Sequence, residues 1–140
     1  MNSSFERLSS RAPLSLTPSG ALQLGGVVHG GALLISSTDV YAWGAANTAG
    51  AEADILNFLD THERQRGEFL LLGTGTTLAF PPPAFRAETD RRGLGLETMD
   101  TSAACRTYNV LVAEARMFTA ALLPLANPAK AGDLRLFAGR

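Results

Sequence analysis

The stretch Leu96–Arg116, LETMDTSAACRTYNVLVAEAR, contains a switch from strand to helix. The run LGLETM reads as a short strand, and Asp100 and Thr101 then open a helix as residues of N-cap type. Beyond them Ala104, Cys105, Tyr108, Leu111, Val112 and Ala115 recur at i, i+1, i+4, i+7, i+8 and i+11, forming one apolar stripe. Ser102, Arg106 and Asn109 fall on a different face. No Glu or Gln stands three residues after the cap, so the capping box is absent.

Working toward the N-terminus, the same alternation repeats. PPPAFRAETDRRG begins with prolines that a helix tolerates in its first turn and ends at Gly93. EFLLLG is a continuous apolar run closed by Gly73, the pattern of a strand covered on both faces. In AEADILNFLDTHERQR, Ile55, Phe58, Leu59 and His62 lie at i, i+3, i+4 and i+7 of an amphipathic helix. Glu52 and Asp54 sit in its first turn, Arg64 and Arg66 in its last, and Gly67 stops it. After the quoted stretch, MFTAALLPL reads as a final strand. Helix, strand, helix, strand, helix, strand argues for an α/β domain with a mostly parallel sheet flanked by helices.

The opening third has strand period instead. Leu14–Leu16 and Leu22–Leu24 flank a Pro18-Ser19-Gly20 turn, and VVHGGALLIS predicts two short strands around a Gly30-Gly31 hairpin. DVYAW closes this antiparallel region, with Trp43 anchoring one end of the core. Residues 1–12 read as a flexible lead-in, 13–125 as a single α/β domain and 126–140 as a C-terminal extension.

Composition narrows function. The 140 residues are 46% hydrophobic and 18% charged, with a net charge of −1, so no basic surface invites nucleic acid. Ala12 to Thr38 lacks charge but carries five glycines and two prolines in short apolar alternations, unlike a membrane span. The N-terminus lacks the apolar core of a secretory signal. These features predict a soluble, cytoplasmic protein without a membrane span. One cysteine excludes an internal disulfide, and the two histidines have no metal-ligand spacing, so neither metal nor cofactor is expected. Glu88, Asp90, Arg91 and Arg92 read as a solvated helix face.

Candidate chemistry gathers at two places. Cys105 lies on the apolar stripe, where a free cysteine packs as a small hydrophobe and its thiolate is disfavoured. No histidine is placed beside it by a recognisable motif, so no catalytic residue is assigned. Asp100 and Thr101 serve as caps, although a helix N-terminus after a parallel strand is also where anions bind. Arg106 and Asn109 have two readings, as bonds to neighbouring loops or as contacts with a partner. The other place is GTGTT, Gly73 to Thr77. Its glycines could expose amides to an anion, yet a P-loop lysine and a third fingerprint glycine are missing, which favours a tight turn. Because ligands in open α/β sheets gather beyond the carboxyl ends of strands, a crevice between Gly73–Thr77 and Asp100–Arg106 is a candidate site. The patch comprises Gly73, Thr74, Gly75, Thr76, Asp100, Thr101, Arg106 and Asn109.

The order of these signals resembles a known family. LLLGTGTT, the run Met99-Asp100-Thr101 through Ala104, Thr107-Tyr108-Asn109, Leu111, Glu114 and Arg116, and the strand FTAALL carry the resemblance over roughly Leu22 to Leu123. It is to the small proteins of unknown function (DUF498-type) named after an archaeal hypothetical protein, which include a mitochondrial respiratory complex I assembly factor. The resemblance implies a three-layer α/β fold with a mixed sheet of about five strands and no established enzymatic activity. For the mitochondrial members it implies complex I assembly with a protein partner at the inner membrane, and for bacterial members it hints at membrane-protein biogenesis. On that footing the chain is expected to be a non-enzymatic binding or assembly protein with a membrane-associated protein partner, itself peripheral at the inner membrane and open to self-association. The alternative is a small-molecule (anionic ligand) binding protein or enzyme using the crevice. Two departures stand out: Glu114-Ala115-Arg116 replaces the usual Glu-Gly-Arg, which puts a left-handed helix ending in question, and Ser36-Ser37-Thr38 replaces a usual proline.

Overall fold

The computed structural model describes residues 5–44 and 51–125. In chain order the elements are β1 (Phe5–Ser10), β2 (Leu14–Leu16), β3 (Leu22–Leu24), β4 (Val27–His29), β5 (Ala32–Ile35), β6 (Asp39–Trp43) and α1 (Ala51–Thr61). A 3-10 turn (Glu63–Gln65), β7 (Phe69–Gly73), α2 (Pro83–Arg91), β8 (Gly95–Met99), α3 (Thr101–Ala113) and β9 (Thr119–Leu122) follow. Six strands form a mixed sheet in the order β1-β6-β5-β9-β7-β8, and β2-β3-β4 form a separate antiparallel sheet.

Alternation along the central strands builds the three layers. On β7, Leu70 and Leu72 pack with Ile55, Phe58, Leu59 and Phe85 of α1 and α2, while Leu71 points to the opposite face. There it joins Ala104, Cys105 and Tyr108 of α3 and Leu14, Leu22 and Leu24 of the small sheet. The continuous LLL of β7 is therefore buried on both sides, as its composition requires. β7 runs parallel to both β8 and β9, as the helix–strand alternation predicts, and β5 joins β9 antiparallel. Trp43 is fully buried, with its indole N–H donating to Asp54 Oδ2 at 3.0 Å, so β6 is tied to α1.

Several expectations are corrected by the tertiary arrangement. Phe5–Ser10, expected within a flexible lead-in, is an edge strand paired antiparallel with β6, and Arg7 bonds Asp39 across that pair. Residues 126–140, expected as a C-terminal extension, lie outside the described residues. Val27–His29 and Ala32–Ile35 do not pair across Gly30-Gly31. β4 pairs with β3, whereas β5 leaves for the middle of the large sheet. The hairpin turn is Gly25-Gly26 instead, with φ of 55° and 89°, the two left-handed positions that a two-residue turn demands. Burial explains the split, since every residue of β5 is buried while Val27 and Val28 of β4 are exposed.

The helices also end differently from their sequence limits. α1 stops at Thr61, and Arg64 and Arg66 follow it in and after the 3-10 turn, although Arg66 still reaches back to the Leu59 carbonyl at 3.3 Å. Arg92 is not on a solvated face. Its side chain, only 12% exposed, donates to both Asp60 oxygens and to Glu88, clamping α2 to the end of α1.

Candidate functional site

The carboxyl ends of β7 and β8 bring the two sequence candidates together, but as a closed seam rather than an open crevice. The Thr74 amide donates to the Met99 carbonyl at 2.9 Å. The Thr101 amide donates to the Gly75 carbonyl at 2.9 Å, and the Gly75 amide returns a bond to the Thr101 hydroxyl at 2.8 Å. That hydroxyl in turn donates to the carbonyl of Leu123, just past the end of β9, at 2.6 Å. The polar groups that could have met an anion at Gly75 and Thr101 are thus spent on each other, and Thr101 is fully buried. Gly73 belongs to the same packing: a Cβ there would sit 2.7 Å from Leu122 Cδ2 and 3.1 Å from both Ala104 Cβ and Thr101 Oγ1.

Asp100 caps α3, its Oδ1 accepting from the Ala103 amide at 2.9 Å. The two readings of Arg106 and Asn109 part company. Asn109 faces the small sheet and acts as a surrogate strand, its Oδ1 accepting from the Leu14 amide at 2.8 Å and its Nδ2 donating to the Leu14 carbonyl at 2.7 Å. Arg106 projects outward and is exposed. Cys105 is buried, and desolvation pushes its thiol up to about 11, so the thiolate is scarce at neutral pH. Among the described residues no group of three or more His, Cys, Asp or Glu side chains is placed to hold a metal ion.

What the sequence reading missed is the segment just past the seam. Thr74, nearly fully buried, uses its hydroxyl to donate to the Thr77 carbonyl at 2.7 Å and to accept from the Ala79 amide at 3.1 Å. The loop is therefore pinned from inside. On it Leu78 and Phe80 are 48% and 65% exposed, and Pro81 to Pro83 stiffen the chain that follows. The signal was available as two large apolar residues placed outside any periodic element. Their exposure, however, depends on where Thr74 folds the loop.

Residues 15–123 match the family described as "Protein of unknown function (DUF498/DUF598)". An uncharacterised protein of Rhodobacter capsulatus is 33% identical over 106 residues, covering 76% of this chain and 79% of that relative. NADH dehydrogenase [ubiquinone] 1 alpha subcomplex assembly factor 3 of Xenopus tropicalis is 39% identical over 59 residues, 42% of this chain. That match spans only 32% of the assembly factor's own length. The crystal structure of a Bordetella parapertussis protein superposes with a TM-score of 0.69 at 30% identity, covering 83% of this chain and 96% of that one.

Proposed function

The chain belongs to the DUF498/DUF598 family, and from that membership we propose that it is a non-enzymatic binding protein that assists assembly of membrane or respiratory-complex proteins. The observation that carries this reading is the pinned loop with Leu78 and Phe80 turned to solvent. Exposed large apolar side chains on a pre-ordered loop suit a protein partner, because the loop loses little entropy on docking and an aromatic residue is a favoured anchor. Relatives named as complex I assembly factors support a partner of that kind. A burial-suppressed Cys105 thiol and an Asp100 committed to capping support a non-enzymatic role. Among the described residues no helix is long and apolar enough to cross a membrane.

The test is in-cell cross-linking and affinity capture with the wild-type chain and with a Leu78→Ser/Phe80→Ser variant. Recovery of respiratory-complex or membrane-protein biogenesis components by the wild type, lost in an equally stable variant, is the expected result. Capture of neither class, or equal capture by the variant, overturns the proposal.

A further inference from the structure

A cleft of about 410 Å³ lies at the other edge of the main sheet, between the chain at Leu8–Ala12 and the turn joining β3 to β4. Leu8, Leu24 and Val27 give it an apolar wall, and Ser10, Arg11 and His29 give it a polar one. A few polar groups on a mostly apolar concavity is the usual make-up of a small-molecule site.

Arg11 is the distinctive member. Elsewhere among the described residues the partly buried guanidinium groups meet carboxylates, Arg66 and Arg92 both at Asp60. Arg7, Arg91 and Arg116 are likewise paired, with Asp39, Glu88 and Glu68. Arg64, Arg86 and Arg106 are exposed, where water satisfies them. Arg11 is partly buried, and no carboxylate among the described residues lies within ion-pair distance of it. Its guanidinium sits 5.2 Å from the Phe118 ring centroid, and Nη2 donates to the Arg116 carbonyl at 3.1 Å. Nη1 is buried with no hydrogen-bond partner among the described residues. A guanidinium is a delocalised cation, and the aromatic face and single carbonyl that Arg11 meets bring no full counter-charge.

We propose that this cleft binds a small carboxylic acid with a short apolar chain, the carboxylate balancing Arg11 and the chain lying against Leu8, Leu24 and Val27. A carboxylate is the natural counterpart of a guanidinium, and the apolar wall rewards a hydrocarbon that a bare inorganic anion lacks. The site is separate from Leu78 and Phe80, so its failure leaves the partner reading untouched.

The experiment is amide NMR of the full chain titrated in separate arms with sodium octanoate, 1-octanol and inorganic phosphate. Octanoate is expected to produce saturable shifts centred on Leu8–Ala12 and Leu24–His29, with octanol and phosphate at least tenfold weaker. Arg11→Gln should weaken octanoate at least tenfold. Val27→Trp, at an exposed strand position, should block the cleft without unfolding the protein, so the result does not depend on the stability of the Arg11 variant. Octanol or phosphate binding as tightly as octanoate, shifts centred elsewhere, or undiminished binding by Val27→Trp or a folded Arg11→Gln would overturn the proposal.

Discussion

Thr101 and Gly75 bond each other twice: the Thr101 amide donates to the Gly75 carbonyl at 2.9 Å, and the Gly75 amide donates to the Thr101 hydroxyl at 2.8 Å. With the further bond from that hydroxyl to Leu123, one buried side chain joins the β7 loop, the start of α3 and the end of β9. Thr101→Val keeps the shape but strands the Gly75 amide and the Leu123 carbonyl. The expected loss is about 3 kcal/mol, since each buried group left unpaired costs about 1–3 kcal/mol. Urea unfolding measures it, with Thr101→Ser as the control that retains the hydroxyl and loses far less. Equal stability of the Val and Ser variants would show that the hydroxyl is not what closes the seam.

Ala115 ends α3 at φ 58°, the non-glycine residue with positive φ among those described. The Arg116 amide bonds the Leu111 carbonyl and the Ala115 amide bonds the Val112 carbonyl, both at 2.9 Å, the paired bonds of a Schellman ending. The left-handed turn that the missing glycine put in question is made by alanine, under strain of about 1–2 kcal/mol. Ala115→Gly relieves that strain while adding freedom to the unfolded chain, so a net gain of about 1 kcal/mol is expected in chemical unfolding. A loss of stability would show that the alanine methyl makes a compensating contact.

The Cys105 thiol gives a kinetic prediction. Burial raises it from the ordinary 9.0 to about 11. That shift lowers the thiolate fraction near pH 8 about a hundredfold before access is counted. A thiol-reactive disulfide reagent should label the native protein far more slowly than a cysteine peptide, and at the peptide's rate in denaturant. Fast native labelling would place Cys105 outside the core.

The Arg92 clamp predicts the acid limb of stability. Asp60 is held below the ordinary 3.8 chiefly by its hydrogen bond from Arg92, and Glu88 below 4.5 by Arg92 and then Arg91. Carboxyls whose folded pKa is depressed stabilise the fold fully above their unfolded values. They lose that contribution as pH falls through 4.5 and 3.8 toward the lower folded values. Because the Asp60 side chain is 54% exposed, solvent screening holds its share under about 1 kcal/mol. Asp60→Asn should flatten the decline between about pH 5 and 3, and 1 M salt should shrink the difference between variant and wild type. An unchanged acid limb would mean that the clamp adds nothing to stability.

What was legible in the sequence is what short-range physics determines. The apolar stripe of α3, the Asp100 cap, the doubly covered β7 and the parallel β7–β8–β9 core follow from periodicity and from residue types acting within a few positions. Even the meeting of GTGTT with Asp100–Thr101 follows from both leaving strand ends on the same side. The edge strand Phe5–Ser10 did not announce itself, because FERLSS is polar on its outer face and gains strand character only against β6. The glycine pairs were ambiguous as well. Gly25-Gly26 and Gly30-Gly31 both suit turns, and only the burial of all four β5 residues assigns the first to a hairpin and the second to a change of sheet. The tertiary structure alone decided whose hydrogen bonds the polar residues satisfy. Asn109 serves Leu14 from 95 positions away, Thr101 seals a seam that sequence left open, and Arg11 lines a cleft with no carboxylate of the described residues within ion-pair distance. Periodicity carries the information for which face is buried, whereas pairing between distant polar groups depends on distances that exist only once the layers have packed.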